Sequence, residues 1–564
     1  MSPPLEVARA HVSRERRNQP RLTDCLVILV AVWVAALPYL AGLGFYSDDW
    51  ITLADFWNHG TGAVIREMLM PGTTWRLRPV QIAFLALTYN GFHLHPLPYH
   101  ILITLSVGVA AVFTYLAINE LQVGRWLAFS IASVFGLLPH YSSDNIWIAS
   151  HVAVLSVTFA LAGVYAMLRA THVGEKRWPA WALCAALAMA LSVLSYEIAF
   201  GLIAASVVLL GWMMYQRDRA EARRFPVRLA SVAGMAVALL ILFALKVHEQ
   251  TRIVYHGHFF GHFWKLIWHA LGQSVLFNFW TYGLHVPVVL ADLYRQSALS
   301  LSAAIASGII FVLVAAYLWR YMTPSQIPRP RTCLWLILIS FVIFALGYGI
   351  FLPVIDENFS SAGVANRVTM ASALGAACVP VAIAGLICSF VASPLQRRRV
   401  FSVAMGFVCA ANCLVMCGVG HYWDNAAAQQ SAILASIKTN VRSLPANSVL
   451  LLDGVCRYSG PAVVFEVGYD ITGALELSLN DKSLNADVIS PNLHFNDDAA
   501  DSTFFGEPFG HYPYGDRLFV YNVPHASLTS LPSKAAANRY LQAMDPNGDS
   551  GCPAAKEGDG AKVF

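Results

Sequence analysis

The segment that decides the fold is TDCLVILVAVWVAALPYLAGLGFYSDDWITLADFW, residues 23–57. It opens with an apolar run, 23–43, close to the roughly 20 residues with which a helix crosses a bilayer. Two adjacent acids, Asp48 and Asp49, follow at once. We expect the aromatics around them to hold SDDW as an extended loop at headgroup depth. We identify no helix-capping or salt-bridge role for the two acids, which makes them a candidate site. The aromatic residues are Tyr46, Trp50 and Trp57.

The composition determines the class of protein. The chain is 57% hydrophobic and 12% charged, whereas a soluble domain has about 25% charged residues. This excludes a soluble globular protein and predicts a mainly α polytopic bundle of eleven transmembrane helices. A basic leader without a small-residue cleavage motif marks the first span as a retained anchor. The predicted spans are 23–43, 97–119, 126–141, 147–168, 178–196, 198–215, 227–247, 298–319, 332–352, 368–391 and 400–420.

The basic residues set the expected orientation, because loops rich in Lys and Arg stay in the cytoplasm. Grouping the connections alternately gives one side 20 basic residues and the other side 8. The N-terminus and the segments RDRAEARR and QRRR fall on the basic side, whereas SDDW falls on the opposite side. We therefore expect a cytoplasmic N-terminus and an external SDDW segment, and we expect the membrane to be a bacterial inner membrane.

Two apolar segments, 79–93 and 265–291, are expected to lie along the outer surface of the membrane without crossing it. Counting the first as a crossing would move every later basic cluster outside. An even number of crossings must also separate RDRAEARR from PSQIPRPR. Aromatic residues of the second segment, such as Trp280 and Tyr282, suit the headgroup region.

The character of the sequence changes after residue 420. The remaining residues contain short β-type runs, PANSVLLLDG and PAVVFEVGYD, bounded by turn residues. They predict a small exported α/β domain whose last segment, DPNGDSGCPAAKEGDG, has little to bury and stays flexible. The predicted organisation is a cytoplasmic tail at 1–22, a membrane domain at 23–420 and the exported domain at 421–564.

Two of the ten cysteines, Cys456 and Cys552, lie in the predicted exported domain. The others lie in or near the predicted spans, where a thiol behaves as a small apolar group. Because exported proteins fold in an oxidising compartment, we expect Cys456 and Cys552 to form a disulfide.

Ionisable residues collect at the external ends of the predicted helices. Charged groups at membrane level are costly and usually face a cavity or one another. One such charge alone is commonly just solvated, so the prediction depends on their clustering at one face. The external acids are Asp48, Asp49, Asp144, Glu197, Asp356 and Glu357. The external cations are Arg76, Arg78, Arg252, Lys265 and Arg367.

The order and sidedness of several short motifs resemble those of the GT-C superfamily of integral-membrane glycosyltransferases. Protein O-mannosyltransferases and bacterial lipid A aminoarabinose transferases are members. The motifs are the paired acids of the first external loop, RLRPVQIAFLALTYNGFHLHPLPYHILITL, GLLPHYSSDNIWIAS and DENFSSAGVANRV. The resemblance spans residues 20–390 and leaves the exported domain unmatched.

The resemblance implies transfer of a sugar, with inversion, from a polyprenyl-phosphate carrier to a glycan, lipid or protein acceptor at the outer face; no nucleic acid is implied. The general base that removes the acceptor proton falls on Asp48 or Asp49. The planar guanidinium of arginine suits the departing lipid phosphate, and Arg78 and Arg367 occupy the matching positions. Further substrate-binding candidates are Asp144, Glu357, Arg76 and Lys265.

A metal cofactor is left open. Some members of the superfamily need a divalent ion, and Asp49, Asp144 and Glu357 could offer oxygen ligands to Mg²⁺ or Mn²⁺. No spacing demands a metal, so no cofactor is assigned. The segment VHEQTRIVYHGHFFGHFW also carries external histidines, which are more simply explained as part of an amphipathic surface than as a zinc site. These histidines are His248, His256, His258 and His262.

Three other functions are left open by the sequence. A transporter or flippase for lipid-linked saccharides would carry charges or Gly and Pro breaks near the middle of paired helices, whereas the predicted spans are mostly uncharged. An O-antigen polymerase or ligase would use Arg-rich external loops, and this chain has few. In a non-catalytic scaffold for the exported domain, the external acids would be incidental.

Overall fold

The computed structural model describes residues 21–71, 73, 75–172, 177–218, 225–254, 275–351, 360–441, 443–544, 552–558 and 560–561. These residues form a bundle of apolar helices followed by a smaller domain built on a β-sheet. The predicted fold class, a mainly α membrane bundle with a small C-terminal α/β domain, is confirmed.

Helices dominate the described part of the chain. Proline lies in the first turn of several of them, where its missing N–H sacrifices no hydrogen bond. Short 3₁₀ turns at Pro139–Tyr141, Glu197–Ala199 and Val364–Thr369 carry residues of the site. The α-helices are α1 Leu22–Leu40, α2 Asp48–His59, α3 Thr61–Met68, α4 Pro79–Phe92, α5 Pro96–Glu120, α6 Arg125–Leu137, α7 Ser142–Ile146, α8 His151–His172, α9 Trp178–Ser195, α10 Phe200–Asp218, α11 Phe225–Val254, α12 Val286–Arg295, α13 Leu301–Tyr321, α14 Pro330–Tyr348, α15 Met370–Ser389, α16 Pro394–Asn440, α17 Gly468–Leu479 and α18 Lys534–Met544.

Eight helices among the described residues are long and apolar enough to cross a membrane, and they make this an integral membrane protein. Shorter apolar stretches lie at Arg125–Leu137, Glu197–Met213 and Val232–Lys246. Each of these eleven elements falls on one predicted span. The predicted span 126–141 is longer than the helix that forms there. Helix α6 has 13 residues, about 20 Å, and Pro139 begins a separate turn after it. The eight long helices are α1, α5, α8, α9, α13, α14, α15 and α16.

Of the two segments predicted to lie along the membrane surface, the first is fully described and the second only in part. The first forms α4, a helix of 14 residues that is too short to cross. Residues 265–274 of the second lie outside the described residues, and a π-helix at Leu276–Leu284 and the start of α12 follow them. Their location at the surface stays a prediction.

Small residues let some of the membrane helices touch along their backbones. A Cβ atom added at Gly375 of α15 would lie 2.3 Å from the carbonyl oxygen of Ser340 in α14. Glycine is therefore required at this crossing, as is common where helices pack within a membrane.

A buried ionic cluster ties four helices together at the end of the bundle where α1 begins. Asp24 of α1 accepts hydrogen bonds from Nε and Nη2 of Arg125 in α6, at 2.6 and 2.5 Å. The hydroxyl groups of Tyr115 in α5 and Tyr317 in α13 also donate to this carboxylate, the second at 2.6 Å. Because a buried charge is tolerated only when it is paired and hydrogen-bonded, we treat these four residues as one unit, the Asp24 cluster.

The longest helix, α16, joins the membrane bundle to the C-terminal domain, which keeps the name exported domain although its export stays a prediction. It runs for 47 residues without a break, about 70 Å. The predicted domain boundary at residue 420 falls inside it, and the first strand begins only at Val449. The sequence after 420 is polar but rich in helix formers such as Ala and Gln, and its apolar Ile433 and Ile437, one helical turn apart, are buried.

The exported domain is built on a four-stranded sheet in the order β4, β1, β8, β9. Strand β1 pairs in parallel with β4 and β8, and β9 pairs antiparallel with β8. Helix α17 lies in the crossover between β1 and β4, as a parallel connection requires. The strands are β1 Val449–Asp453, β2 Tyr458–Ser459, β3 Ala462–Val463, β4 Asn485–Val488, β5 Leu493–Phe495, β6 Ala499–Phe504, β7 Glu507–Pro513, β8 Leu518–Asn522, β9 Ser527–Ser530, β10 Ala555–Lys556 and β11 Gly560–Ala561.

The described residues of 552–561 form a strap, although the sequence predicted a flexible tail. A disulfide joins Cys456 to Cys552, with the two Cα atoms 5.3 Å apart. The carbonyl oxygen of Gly558 accepts a hydrogen bond at 3.0 Å from the backbone N–H of Ala365 in the membrane domain. The strap therefore connects the exported domain to the turn that carries Arg367.

Candidate functional site

The acids of SDDW lie in the first turn of α2, so the expected extended loop is wrong. Acidic side chains near a helix N-terminus are stabilised by its partial positive charge, a role that the sequence analysis overlooked. Ser47 precedes the helix with φ of 47°, an uncommon conformation for a residue other than glycine. Tyr46 is fully buried inside the protein, and its hydroxyl donates to the carbonyl of Trp423 at 2.8 Å.

Asp49 is buried and bonded to the backbone. Its Oδ2 accepts a hydrogen bond from the N–H of Tyr46 at 3.0 Å, and its Oδ1 accepts one from the N–H of Ala149 at 2.8 Å. Burial raises the pKa of Asp49 to about 8, and these backbone donors oppose the shift. The carboxylate therefore ties the start of α2 to the segment before α8.

A cavity of about 330 Å³ opens beside the start of α2. Three residues proposed for the site from the sequence, Asp48, Arg78 and Arg367, line it together, although they come from distant parts of the chain. Asp49 is not among the lining residues. The walls also include Trp147, Ser150 and Tyr196.

Arg78 is held in place by an acid and an aromatic ring. Its Nη2 donates to Oε1 of Glu197 at 3.0 Å, and its guanidinium lies 4.4 Å from the centroid of the Tyr196 ring. Lys246 of α11 donates to Oε2 of the same glutamate at 2.9 Å. A guanidinium has five N–H donors, so the bond to Glu197 leaves Arg78 with donors for a ligand.

Arg367 lies in the turn Val364–Thr369, with its guanidinium 5.6 Å from the centroid of the Trp147 ring. The neighbouring Asn366 is fully buried and fastens this turn to α7. Its Oδ1 accepts hydrogen bonds from the backbone N–H and the hydroxyl of Ser143, at 3.0 and 2.7 Å. The motifs ANR and HYSSDN therefore form one unit that positions Arg367 at the cavity.

Asp144 is completely buried and lies behind the wall of the cavity. The hydroxyl of Ser150 donates to its Oδ1. Burial raises the pKa of Asp144 well above its usual value, and Ser150 and the positive charge of Arg367 oppose the shift. The position of Asp144 suits holding Ser150 and balancing Arg367 better than touching a ligand in the cavity.

Of the remaining site candidates, Arg76 is described and does not line the cavity. Arg76 is exposed, and Lys265, Glu357, His256, His258 and His262 lie outside the described residues. Within the described part of the chain, no group of three or more His, Cys, Asp or Glu side chains could hold a metal ion. Both oxygens of Asp49, one of the proposed metal ligands, already accept backbone N–H groups. The described donor set does not fit a metal.

The exported domain packs against the helix that carries Asp48. A Cβ atom added at Gly473 of α17 would lie 2.6 Å from the backbone nitrogen of Ile51 in α2, so the two backbones touch. The hydroxyl of Tyr469, also in α17, lies 3.2 Å from Oγ of Ser47. No motif in the sequence predicts a part for this domain in the site, although the aromatic residues in its polar segments are a signal for one.

No family model matches the chain, and no curated protein matches it. Solved structures with some similarity include two of ArnT from Cupriavidus metallidurans, one bound to undecaprenyl phosphate and one in the apo state. Each is 15% identical to this chain, with a TM-score of 0.34. The first similarity covers 82% of this chain and 85% of that chain, and the second covers 81% and 84%. A similarity this weak assigns neither a substrate nor a residue role here.

Proposed function

We propose that this protein transfers a sugar from a polyprenyl-phosphate carrier to an acceptor at the outer face of a bacterial inner membrane, with inversion at C1. One observation carries the proposal: Asp48, Arg78 and Arg367 line a single cavity at one end of the membrane bundle. The motif resemblance supplies the reaction class. The asymmetry of basic residues supplies the orientation, with the N-terminus in the cytoplasm and the exported domain outside.

Asp48 is proposed as the general base. Its half-buried carboxylate lines the cavity and accepts a hydrogen bond from Oγ of Ser47 at 3.2 Å. An acceptor hydroxyl within reach of this carboxylate gives up its proton to Asp48 as its oxygen forms the new bond to C1 of the sugar. Asp48 later releases the proton to water.

Arg78 and Arg367 are proposed to bind the phosphate of the carrier. As the bond between C1 and the phosphate oxygen breaks, that oxygen takes the electron pair, and the polyprenyl phosphate gains negative charge. Cations fixed in place beforehand stabilise this charge without reorganising. Glu197 and Tyr196 hold Arg78, and Arg367 lies against Trp147.

Asp49 and Asp144 are proposed to position the site rather than to react. Asp49 holds the start of α2 through its backbone hydrogen bonds, which determines where Asp48 lies. Asp144 holds Ser150 and lies close to the charge of Arg367. No step in this proposal passes through a metal ion.

The substitution Asp48→Asn tests the proposal, because it keeps the size of the side chain and removes the proton acceptor. Transfer should fall by roughly 10²–10⁴-fold, with protein amount and thermal stability unchanged. Mass spectrometry of surface glycans, from cells without the protein and cells with the unmodified protein, would identify the product. Rates are then measured in membranes supplied with the corresponding lipid-phosphate donor.

Asp49→Asn is the matched control, since it makes the same chemical change at the adjacent position. It should affect stability more than the rate of transfer per folded molecule. An Asp48→Asn variant that transfers sugar at the unmodified rate would overturn the assignment of the base.

A further inference from the structure

A group of aromatic side chains lies on the exported domain next to α2. It consists of Tyr469 from α17 with Phe504, Phe505 and Phe509 from the hairpin β6–β7, and we call it the aromatic platform. The centroids of its contacting rings are 4.4 to 6.2 Å apart. Phe505 is 54% exposed and Phe509 is 43% exposed. Contiguous exposed apolar groups of this kind mark binding surfaces.

The aromatic platform is connected to Asp48 through Tyr469. The hydroxyl of Tyr469 lies 3.2 Å from Oγ of Ser47, and this Oγ donates to Oδ1 of Asp48 at 3.2 Å. Tyr469 is not one of the residues that line the cavity, so the platform reaches Asp48 from outside it. Inverting transfer brings the nucleophile to the face of the sugar opposite the leaving group. Because the base must contact the acceptor hydroxyl, a surface connected to Asp48 through Ser47 and Tyr469 is placed to hold an acceptor.

The charges around the aromatic platform indicate what binds there. The hairpin, residues 499–513, contains Glu507, Asp501, whose carboxylate contacts His511 and Asn496, and neither Lys nor Arg. A surface that binds anionic lipid headgroups carries basic residues instead. Sugars present apolar C–H faces that stack on aromatic rings, and their hydroxyl groups donate to carboxylates.

We infer that the aromatic platform binds the sugar rings of a saccharide acceptor and directs one of its hydroxyl groups to Asp48. The inference rests on the proposed transfer function and names the class of its acceptor.

The aromatic platform is also held in a defined position. The backbone N–H of Phe505, at the tip of the hairpin, donates to Oε2 of Glu557 in the strap at 2.6 Å. A Cβ atom added at Gly558 would lie 3.5 Å from the Phe505 ring, so the ring rests against the strap. The disulfide to Cys552 anchors the strap itself. A surface organised in advance loses less entropy when a ligand binds.

Saturation-transfer NMR on the full-length protein in nanodiscs tests the inference, with maltohexaose, chitohexaose and mannohexaose as probes. The ring protons of at least one of them should receive saturation. Phe504→Ser and Phe509→Ser should each weaken this binding roughly fivefold through the loss of one stacked ring. Leu528→Ser, which removes an equally exposed apolar side chain from β9 of the same domain, should leave it unchanged.

Two results would overturn the inference. One is that none of the three oligosaccharides binds the unmodified protein, and the other is that Phe509→Ser binds them as well as the unmodified protein does. Asp48→Asn separates this test from that of the proposed function, because it should lose transfer and keep oligosaccharide binding. If Asp48→Asn transferred sugar normally while the phenylalanine variants lost binding, the saccharide site would stand and the catalytic assignment would fall.

A spin label distinguishes a saccharide surface from a lipid surface. Glu507→Cys places the label beside the aromatic platform, in a Cys184→Ser background that removes the exposed free thiol. In nanodiscs, the label should collide readily with a water-soluble nickel complex. Greater accessibility to oxygen than to nickel would place the hairpin in lipid and overturn the inference.

Discussion

Carboxylates meet arginines at both ends of α1, but only one of the two groups surrounds a cavity. In the Asp24 cluster, two nitrogens of Arg125 and two tyrosine hydroxyls satisfy a carboxylate with no exposed surface. At the other end, Asp48 lines the cavity of about 330 Å³ together with two arginines. The charges of the Asp24 cluster hold helices together, whereas a charge that lines a cavity can also reach a ligand. The two groups contain similar residue types. They differ in that the Asp24 cluster is closed to solvent, whereas the candidate site surrounds a cavity.

Breaking the Asp24 cluster should give the largest loss of stability. Asp24→Ala leaves the Arg125 guanidinium buried without its carboxylate, which lowers the free energy of unfolding by about 3–5 kcal/mol. Unfolding by SDS in mixed micelles, followed by circular dichroism, measures the change. The double variant Asp24→Ala/Arg125→Met removes the stranded charge and should recover part of the loss. Equal losses in the single and double variants would show that the ion pair is not the cause.

Arg367→Ala, in the cavity, should weaken donor binding and should lower stability less than Asp24→Ala does. A hydrogen bond to a charged group contributes about 1.5–3 kcal/mol, so KM for the lipid-phosphate donor should rise roughly 10- to 150-fold. Arg367→Lys keeps the charge without the planar guanidinium and should raise KM less. Steady-state kinetics with varied donor provide the measurement, and an unchanged KM together with an unchanged kcat in both variants would remove Arg367 from the phosphate site.

Asp49 should make stability depend on pH. Its pKa of about 8 in the folded protein exceeds the value of about 3.9 in an unfolded chain. Between these two values the folded state keeps a proton that the unfolded state has lost, so stability falls as the pH rises from about 4 to about 8. Asp49→Asn removes this contribution. Melting temperatures of both proteins across this pH range should therefore diverge, and parallel curves would contradict the prediction.

The smallest effect is expected from removing one donor of the Asp24 cluster. Tyr317→Phe deletes the hydroxyl that donates to Oδ1 of Asp24 and leaves Arg125 and Tyr115 in place. The free energy of unfolding should fall by about 1.5 kcal/mol, the lower end for a hydrogen bond to a charged group, because this bond is only partly buried; the same SDS titration measures it. Tyr321→Phe changes a half-exposed tyrosine one turn away and serves as the control. A loss as large as that of Asp24→Ala would mean that the cluster depends on the hydroxyl rather than on the ion pair.

The sequence predicts the membrane helices well because a bilayer demands a minimum length of apolar residues. It also anticipates that Asp48, Arg78 and Arg367 approach one another, since the basic loops assign all three to one side of the membrane. Two local signals in the sequence indicate where helices α6 and α16 end. Pro139 limits α6, and the spacing of Ile433 and Ile437 continues α16 beyond residue 420.

No local pattern in the sequence predicts which distant residues come into contact. Asp24 and Arg125 are 101 positions apart, and Glu197 is 119 positions from Arg78. Whether such groups meet depends on which helices become neighbours, and hydropathy does not encode that order. The separate roles proposed for Asp48 and Asp49 likewise depend on where α2 begins and on the N–H of Ala149, which lies 100 positions from Asp49.

Because α16 is unbroken, its length fixes how far the exported domain is rotated about the helix axis relative to the membrane bundle. Each residue added to an α-helix turns everything beyond it by about 100° and advances it by about 1.5 Å. One inserted residue near position 425 would swing α17 around the helix axis and carry Tyr469 away from Ser47. Seven would nearly restore the facing direction but lift the domain by about 10 Å. The length of this helix is therefore as much a condition for an assembled site as the side chains that line the cavity.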